Sequence, residues 1–193
     1  MNWSVLLNPF TKFSEKQLLI FGIVTLGLGS YFAALFGVTF DGVIDVHLSP
    51  NITFLQSLKE NAITILLLTI LLFTLGKIIN AKTRLIDILN TSMLFRIPFY
   101  LSAALVALPA VKVIEESLLK NAQNNASFNL NTNDIIILLC LTGAIIALLI
   151  YAIALLFNGF KTATNVKRTS HKVFFSIAIL LAETLCKIIT YAI

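Results

Sequence analysis

Charge is what this chain has least of. Only 12% of its 193 residues are Asp, Glu, Lys or Arg, against 58% hydrophobic ones, so a soluble domain of this length would have too little polar surface to cover its core. Histidine and cysteine are scarcer still, at two each. Cys140 and Cys186 both fall inside apolar runs, where a free thiol behaves as a small apolar side chain, and neither has the neighbours that a disulfide or a thiolate metal site needs. There is no HExxH pair, no glycine-rich phosphate loop, and no nucleophile beside His47 or His171. The expectation is a protein that is not an enzyme and carries no cofactor.

Long apolar runs are what the chain does have. Five stretches, approximately 18–38, 62–79, 94–113, 135–157 and 173–193, are each long enough to cross a bilayer, because a helix rising about 1.5 Å per residue needs about 20 residues to span a hydrocarbon core roughly 30 Å thick. The mean hydropathy of +0.94 agrees. Backbone polar groups in lipid must find partners internally, so the choice is between helices and a closed barrel. Near-continuous runs such as Ile63–Phe73 and Ile135–Phe157 show none of the alternation of barrel strands. The expected fold is all-α: a polytopic membrane bundle of five transmembrane helices, with residues 1–17 as a cytoplasmic interfacial segment and 18–193 as a single transmembrane domain. The opening Trp3–Leu7 leads into Asn8-Pro9, Lys12 and Lys16, not a small-residue cleavage site, so the first span is expected to act as its own insertion signal.

The net charge of +5 is a topology signal, and no nucleic-acid partner is expected. Ten of the 14 Lys and Arg fall on one side of the spans: Lys12, Lys16, Lys77, Lys82, Arg84, Arg96, Lys161, Lys167, Arg168 and Lys172. The other four are Lys59, Lys112, Lys120 and Lys187. This bias predicts an N-terminus in the cytoplasm and a C-terminus outside. Basic residues of the 161–172 loop then lie against anionic headgroups.

Local signals refine the picture. Ser14 or Thr11 is placed to cap the first span, Ser49-Pro50 to start the second helix, and Asp134 to cap the fourth. Gly29, Ala33 and Gly37 recur every four residues in the first span, and Gly143 and Ala147 do so in the fourth. Such small residues let a neighbouring helix approach closely, within one bundle or between two copies. The stretch 81–92 reads as a short amphipathic connection, and Pro98 and Pro109 as helix kinks near the two ends of the third span. Asp41, Asp45 and His47 in the outer loop 39–50 offer metal-ligand chemistry only if that loop folds back on itself, and with so few ligands no metal is assigned.

Glu183 is the expensive residue of this reading. It lies about ten residues, or roughly 15 Å, into the last span, where a carboxylate costs on the order of 3 kcal/mol unless paired or protonated. Lys187 follows at i+4 on the same face, and Lys112 at the outer end of the third span is a second candidate partner. Glu183, Lys187 and Lys112 are therefore the candidate ligand or ion residues, the alternative being a structural pin for the fifth helix.

Asn8-Pro9-Phe10, the segment Leu72–Asn80 (LFTLGKIIN), Pro98, and Tyr151–Lys161 (YAIALLFNGFK) followed by a basic loop together resemble the Yip family of Ypt-interacting, Rab-associated membrane proteins, in particular its short bacterial members. The resemblance runs from about residue 8 to the end. It implies a Yip domain with a role in membrane organisation or vesicle traffic through protein partners. The leading expectation is a non-enzymatic scaffold of a bacterial cytoplasmic membrane whose partners are membrane lipids and other membrane proteins or a second copy of the chain. The resemblance brings no catalytic residues. The Gly-Tyr-Ser/Cys…Leu-Pro pattern of the family is here only Ser92…Ile97-Pro98, and the long cytosolic N-terminal region of the eukaryotic members is missing. The competing expectation is a small transporter or permeation unit built on Glu183.

Overall fold

The computed structural model describes residues 3–123 and 131–192. A short helix α1 (Trp3–Leu7) and a 3-10 turn (Pro9–Thr11) lead into α2 (Glu15–Phe36). A two-residue antiparallel ribbon, β1 (Val38–Thr39) with β2 (His47–Leu48), closes the next loop. Then follow α3 (Phe54–Ile79), α4 (Leu85–Phe95), α5 (Ile97–Val106), α6 (Pro109–Gln123), α7 (Thr132–Thr164) and α8 (Thr169–Ala192). Five helical units, α2, α3, α4 with α5, α7 and α8, are long and apolar enough to cross a membrane. The chain is an all-α, multi-pass membrane protein.

The third unit is the axis of the bundle. It is 67% buried, against 33% or less for any other span. Leu68, Leu72, Phe95, Ala152, Leu156 and Phe160 form the core around it, while Ile20, Leu66, Ile70, Leu139 and Leu180 point outward. In water that outer surface would be a severe aggregation liability, and in a bilayer the acyl chains cover it.

Several helix boundaries differ from the sequence expectation. The third span is Leu85–Val106, not 94–113. The stretch read as an amphipathic connection is α4, and from Asn90 to Arg96 every residue is buried. Its polar Asn90, Thr91 and Ser92 disguised it, because a hydropathy window penalises polar residues whether they face lipid or protein. Pro109 does not kink this span but opens α6, a separate helix packed on α7, and Pro is well suited to a first turn because its missing N–H has no partner to lose. The second helix starts not at Ser49-Pro50 but at Thr53, whose hydroxyl accepts from the Gln56 N–H while the Gln56 side chain accepts from the Thr53 N–H. This capping box satisfies two otherwise orphaned donors. Thr53→Ala is expected to lower stability by about 1 kcal/mol, read as a small drop in thermal midpoint in detergent, with no change in oligomeric state.

At the fourth span, Asn131 and not Asp134 is the cap, accepting from the Asp134 N–H at 2.8 Å. The expected 161–172 loop is largely helical: α7 runs to Thr164 and ends on Asn165 in the left-handed conformation, with φ of 53°. Residues 124–130 of the polar outer stretch lie outside the described residues.

Candidate functional site

The loop between α2 and α3 folds back into the bundle. Val38, Thr39, Phe40, Asp41 and Val43 are all buried. Irregular backbone at membrane depth survives only where protein satisfies its N–H and C=O groups, and here side chains from three other helices do so. Arg96 supplies the donors. It is fully buried between α4 and α5, midway along the central span, and its Nη1 donates to the carbonyls of Gly42 at 3.0 Å and Val43 at 2.9 Å. Its Nε and Nη2 donate to Asn61 Oδ1 at 3.3 and 3.0 Å. The rings of Phe40 and Phe99 lie over the guanidinium at 5.1 and 5.3 Å, adding cation–π attraction.

The sequence itself makes the break that places Arg96 there. Pro98, in the first turn of α5, has no N–H to return to Leu94, so the helix pauses and the Arg96 N–H closes a tight turn on Met93 O at 3.1 Å. Asn61 is oriented in turn by donating to Ser57 O at 2.9 Å and to Ser30 Oγ at 3.2 Å, which ties α2, α3 and the central span together.

Carboxylates supply the acceptors. Glu60 receives the Thr39 hydroxyl and, at 3.4 Å, the Phe40 N–H. Glu183 receives the Ile44 N–H at 2.9 Å, so its place in the last span serves the loop's backbone. Gly42 lies against the same carboxylate, and any Cβ there would run into it. Lys187 stands 3.6 Å from Glu183, but its closer partner is Asp45 at 2.7 Å. Burial pushes the Asp45 carboxyl up, yet the Lys187 hydrogen bond and charge, with His47 beside it, outweigh this and hold it below the usual carboxylate range. Lys112 is not part of the group: it is exposed on α6, and no ion pair joins it to Glu183 among the described residues. Arg96, assigned from the sequence to the cytoplasmic end, is the residue that reasoning missed. Its signal was the polar run Asn90–Ser92 ahead of it, which marks a helix that continues inside protein.

The small residues divide. Gly29 and Ala33 are buried, and a Cβ on Gly29 would collide with the Tyr100 ring. Gly37 belongs to no helix stripe; it is the C-cap of α2, with φ of 67°, a conformation glycine adopts freely. Gly143 and Ala147 are exposed, and among the described residues nothing lies within 4 Å of a Cβ added to Gly143, so Gly143 gives no close approach to a described helix.

At the opposite end, the N-terminal segment is docked on α7. Tyr151 Oη donates to Leu6 O at 3.0 Å and Asn158 Nδ2 to Leu7 O at 2.8 Å, satisfying the last carbonyls of α1. Gly159 leaves room for Phe10 and Thr91. Thus Asn8-Pro9-Phe10 and Tyr151–Lys161 meet in space. Arg84 bridges Glu15 at 2.8 Å and Asp87 at 2.7 Å across the neighbouring helix starts.

Two cavities flank this docked segment. One, of about 460 Å³, is a recess of mixed lining that holds the charged and polar side chains of Glu15, Arg84, Asp87, Asn90, Thr91 and Thr162 beside Phe10 and Ala163. The other, of about 630 Å³, is an apolar groove lined by Leu6, Phe21, Leu94, Ile97 and Leu155 among others. Phe13 and Leu18 line both. Neither cavity, nor a small one of about 140 Å³ beside Asp45 and Pro98, reaches Glu183. Comparison with known proteins finds no match for this chain among family models, curated proteins or solved structures.

Proposed function

We propose that this is a non-enzymatic membrane protein of the Yip type, which organises its membrane by holding a phospholipid at its N-terminal end and presenting that end to protein partners or to a second copy. The observation that carries the reading is a recess with charged and polar side chains in its lining beside an apolar groove, Phe13 and Leu18 lining both. A groove of this lining suits an acyl chain, and the adjoining recess suits a headgroup. Two carboxylates, Glu15 and Asp87, face one guanidinium, Arg84, and the buried Asn90 Oδ1 has no hydrogen-bond donor among the described residues, which favours a headgroup bearing a protonated amine. The end with the recess faces the cytoplasm in this reading. With Arg96 moved into the bundle, nine basic residues against four still favour that orientation in a cytoplasmic membrane.

The transport alternative has the broken central helix in its favour. Against it stands Glu183, closed in by Ile44, Gly42 and Lys187 and away from every cavity described above. Native mass spectrometry on the detergent-released protein separates the two. Phe13→Asp, a change at a half-exposed side chain, is expected to abolish a phospholipid retained by the wild type, while Glu183→Gln keeps it. Retention in Phe13→Asp together with loss in Glu183→Gln would sink the lipid reading and point to transport.

A further inference from the structure

The re-entrant loop brings Asp41, Asp45 and His47 together, with one ligand atom from each within 4.8 Å of the others. Three such side chains alone are ordinary. What sets this group apart is Asp41: its side chain is only 9% exposed, and its Oδ1 has no hydrogen-bond partner among the described residues. That same oxygen is aimed at His47, 3.6 Å from Nδ1, and Asp45 Oδ2 lies 3.9 Å from the same nitrogen. A buried carboxylate oxygen with no donor is costly, and a cation is the group that removes the cost. An imidazolium at these separations makes no hydrogen bond to either carboxylate. With bonds of about 2.1 Å, neighbouring ligands in a tetrahedron are about 3.4 Å apart and opposite ones in an octahedron about 4.2 Å, so the 3.6 and 3.9 Å separations lie between these spacings and, with Asp41 and Asp45 within 4.8 Å, a small shift of the exposed side chains brings all three onto one ion.

From this geometry we infer that Asp41, Asp45 and His47 form a site for a divalent transition-metal ion, Zn²⁺ or Mn²⁺ in preference to Mg²⁺ or Ca²⁺. The imidazole sets the preference, since the harder ions select all-oxygen sites. His47 and Asp45 are 45% and 33% exposed, so the side of the group away from Asp41 is not closed by protein and has room for further ligands such as water. The fold holds the ligands without the ion: β1–β2 pairing puts His47 opposite Thr39, and Thr190 on α8 donates to the Asp41 carbonyl at 3.4 Å. Lys187 is the built-in competitor. It occupies Asp45 Oδ2 at 2.7 Å, and with Glu183 at 3.6 Å it has a second carboxylate to move to when the ion arrives. Metal binding therefore shifts Lys187 along α8 toward Glu183.

The test uses purified full-length protein treated with chelator, titrated with Mn²⁺ and followed by electron paramagnetic resonance, with Zn²⁺ and Mg²⁺ as competitors. One Mn²⁺ per chain is expected, displaced by Zn²⁺ and not by equal Mg²⁺. Binding is lost in Asp41→Asn and in His47→Ala, the latter a change at an exposed side chain that leaves the bundle intact. Lys187→Gln, which removes the competing ammonium, tightens binding by about tenfold. Absence of saturable Mn²⁺ and Zn²⁺ binding to monodisperse wild-type protein, or undiminished affinity in folded His47→Ala, overturns the site.

Discussion

Arg96→Met is expected to lower the free energy of unfolding by about 3–5 kcal/mol, the largest loss of any single substitution outside the helix contacts. Methionine fills the space between Phe40 and Phe99 but leaves the carbonyls of Gly42 and Val43 and the Oδ1 of Asn61 without donors in a place water does not reach. Each orphaned acceptor costs roughly 1–3 kcal/mol, offset in part because the mutant no longer buries a charge. Arg96→Lys is not expected to rescue, since one ammonium cannot reproduce the planar fork that reaches two carbonyls and an amide at once. Asn61→Leu damages the same network from the other side, so the double variant should lose clearly less than the sum of the two single losses. The measurement is denaturant or thermal unfolding in detergent for the full cycle. A loss below about 1 kcal/mol for Arg96→Met, or strict additivity with Asn61→Leu, would show that the loop is held by something other than this network.

The contrast between what was legible and what was not follows from this network. Apolar length and the lack of alternation are summed over twenty residues, so the existence of five spans and their helical type could be read from composition alone. The third span was misplaced because Asn90, Thr91, Ser92 and Arg96 are polar toward protein, and a one-dimensional hydropathy profile has no notion of which neighbour a side chain faces. Glu183 stands out in the sequence as a carboxylate inside an apolar run, yet its closest partner is the backbone N–H of Ile44, distant in sequence and part of a loop whose shape no local signal announces. Lys187 was paired with the right helix neighbour but prefers Asp45. The trio Asp41, Asp45 and His47 was visible as residue types; their convergence depends on the same folding back of the loop, which in turn depends on Arg96. Sequence patterns therefore revealed the lipid-facing half of the molecule, and tertiary contacts between side chains and loop backbone decided the rest.

Gly29→Leu and Gly143→Leu, two identical substitutions in long apolar spans, are expected to differ by several kcal/mol. At Gly29 the first added carbon already overlaps the Tyr100 ring, which cannot swing aside because it is buried and packed edge-on against Phe40. The helices α2 and α5 must separate, which opens the aromatic wall around Arg96, so the loss is expected to exceed about 3 kcal/mol, beyond the usual range for overpacking. At Gly143 there is nothing within 4 Å, the side chain enters lipid, and replacing glycine in a helix gains up to about 1 kcal/mol. Oligomeric state provides the second readout. If Gly29 serves packing within one bundle, Gly29→Leu lowers the thermal midpoint and leaves the mass of the detergent-solubilised particle unchanged. A dimer that dissociates in Gly29→Leu at unchanged stability would move that glycine to an interface between copies; a dimer that dissociates in Gly143→Leu would assign the interface to the exposed face of α7, where the small Gly143 and Ala147 permit a close approach.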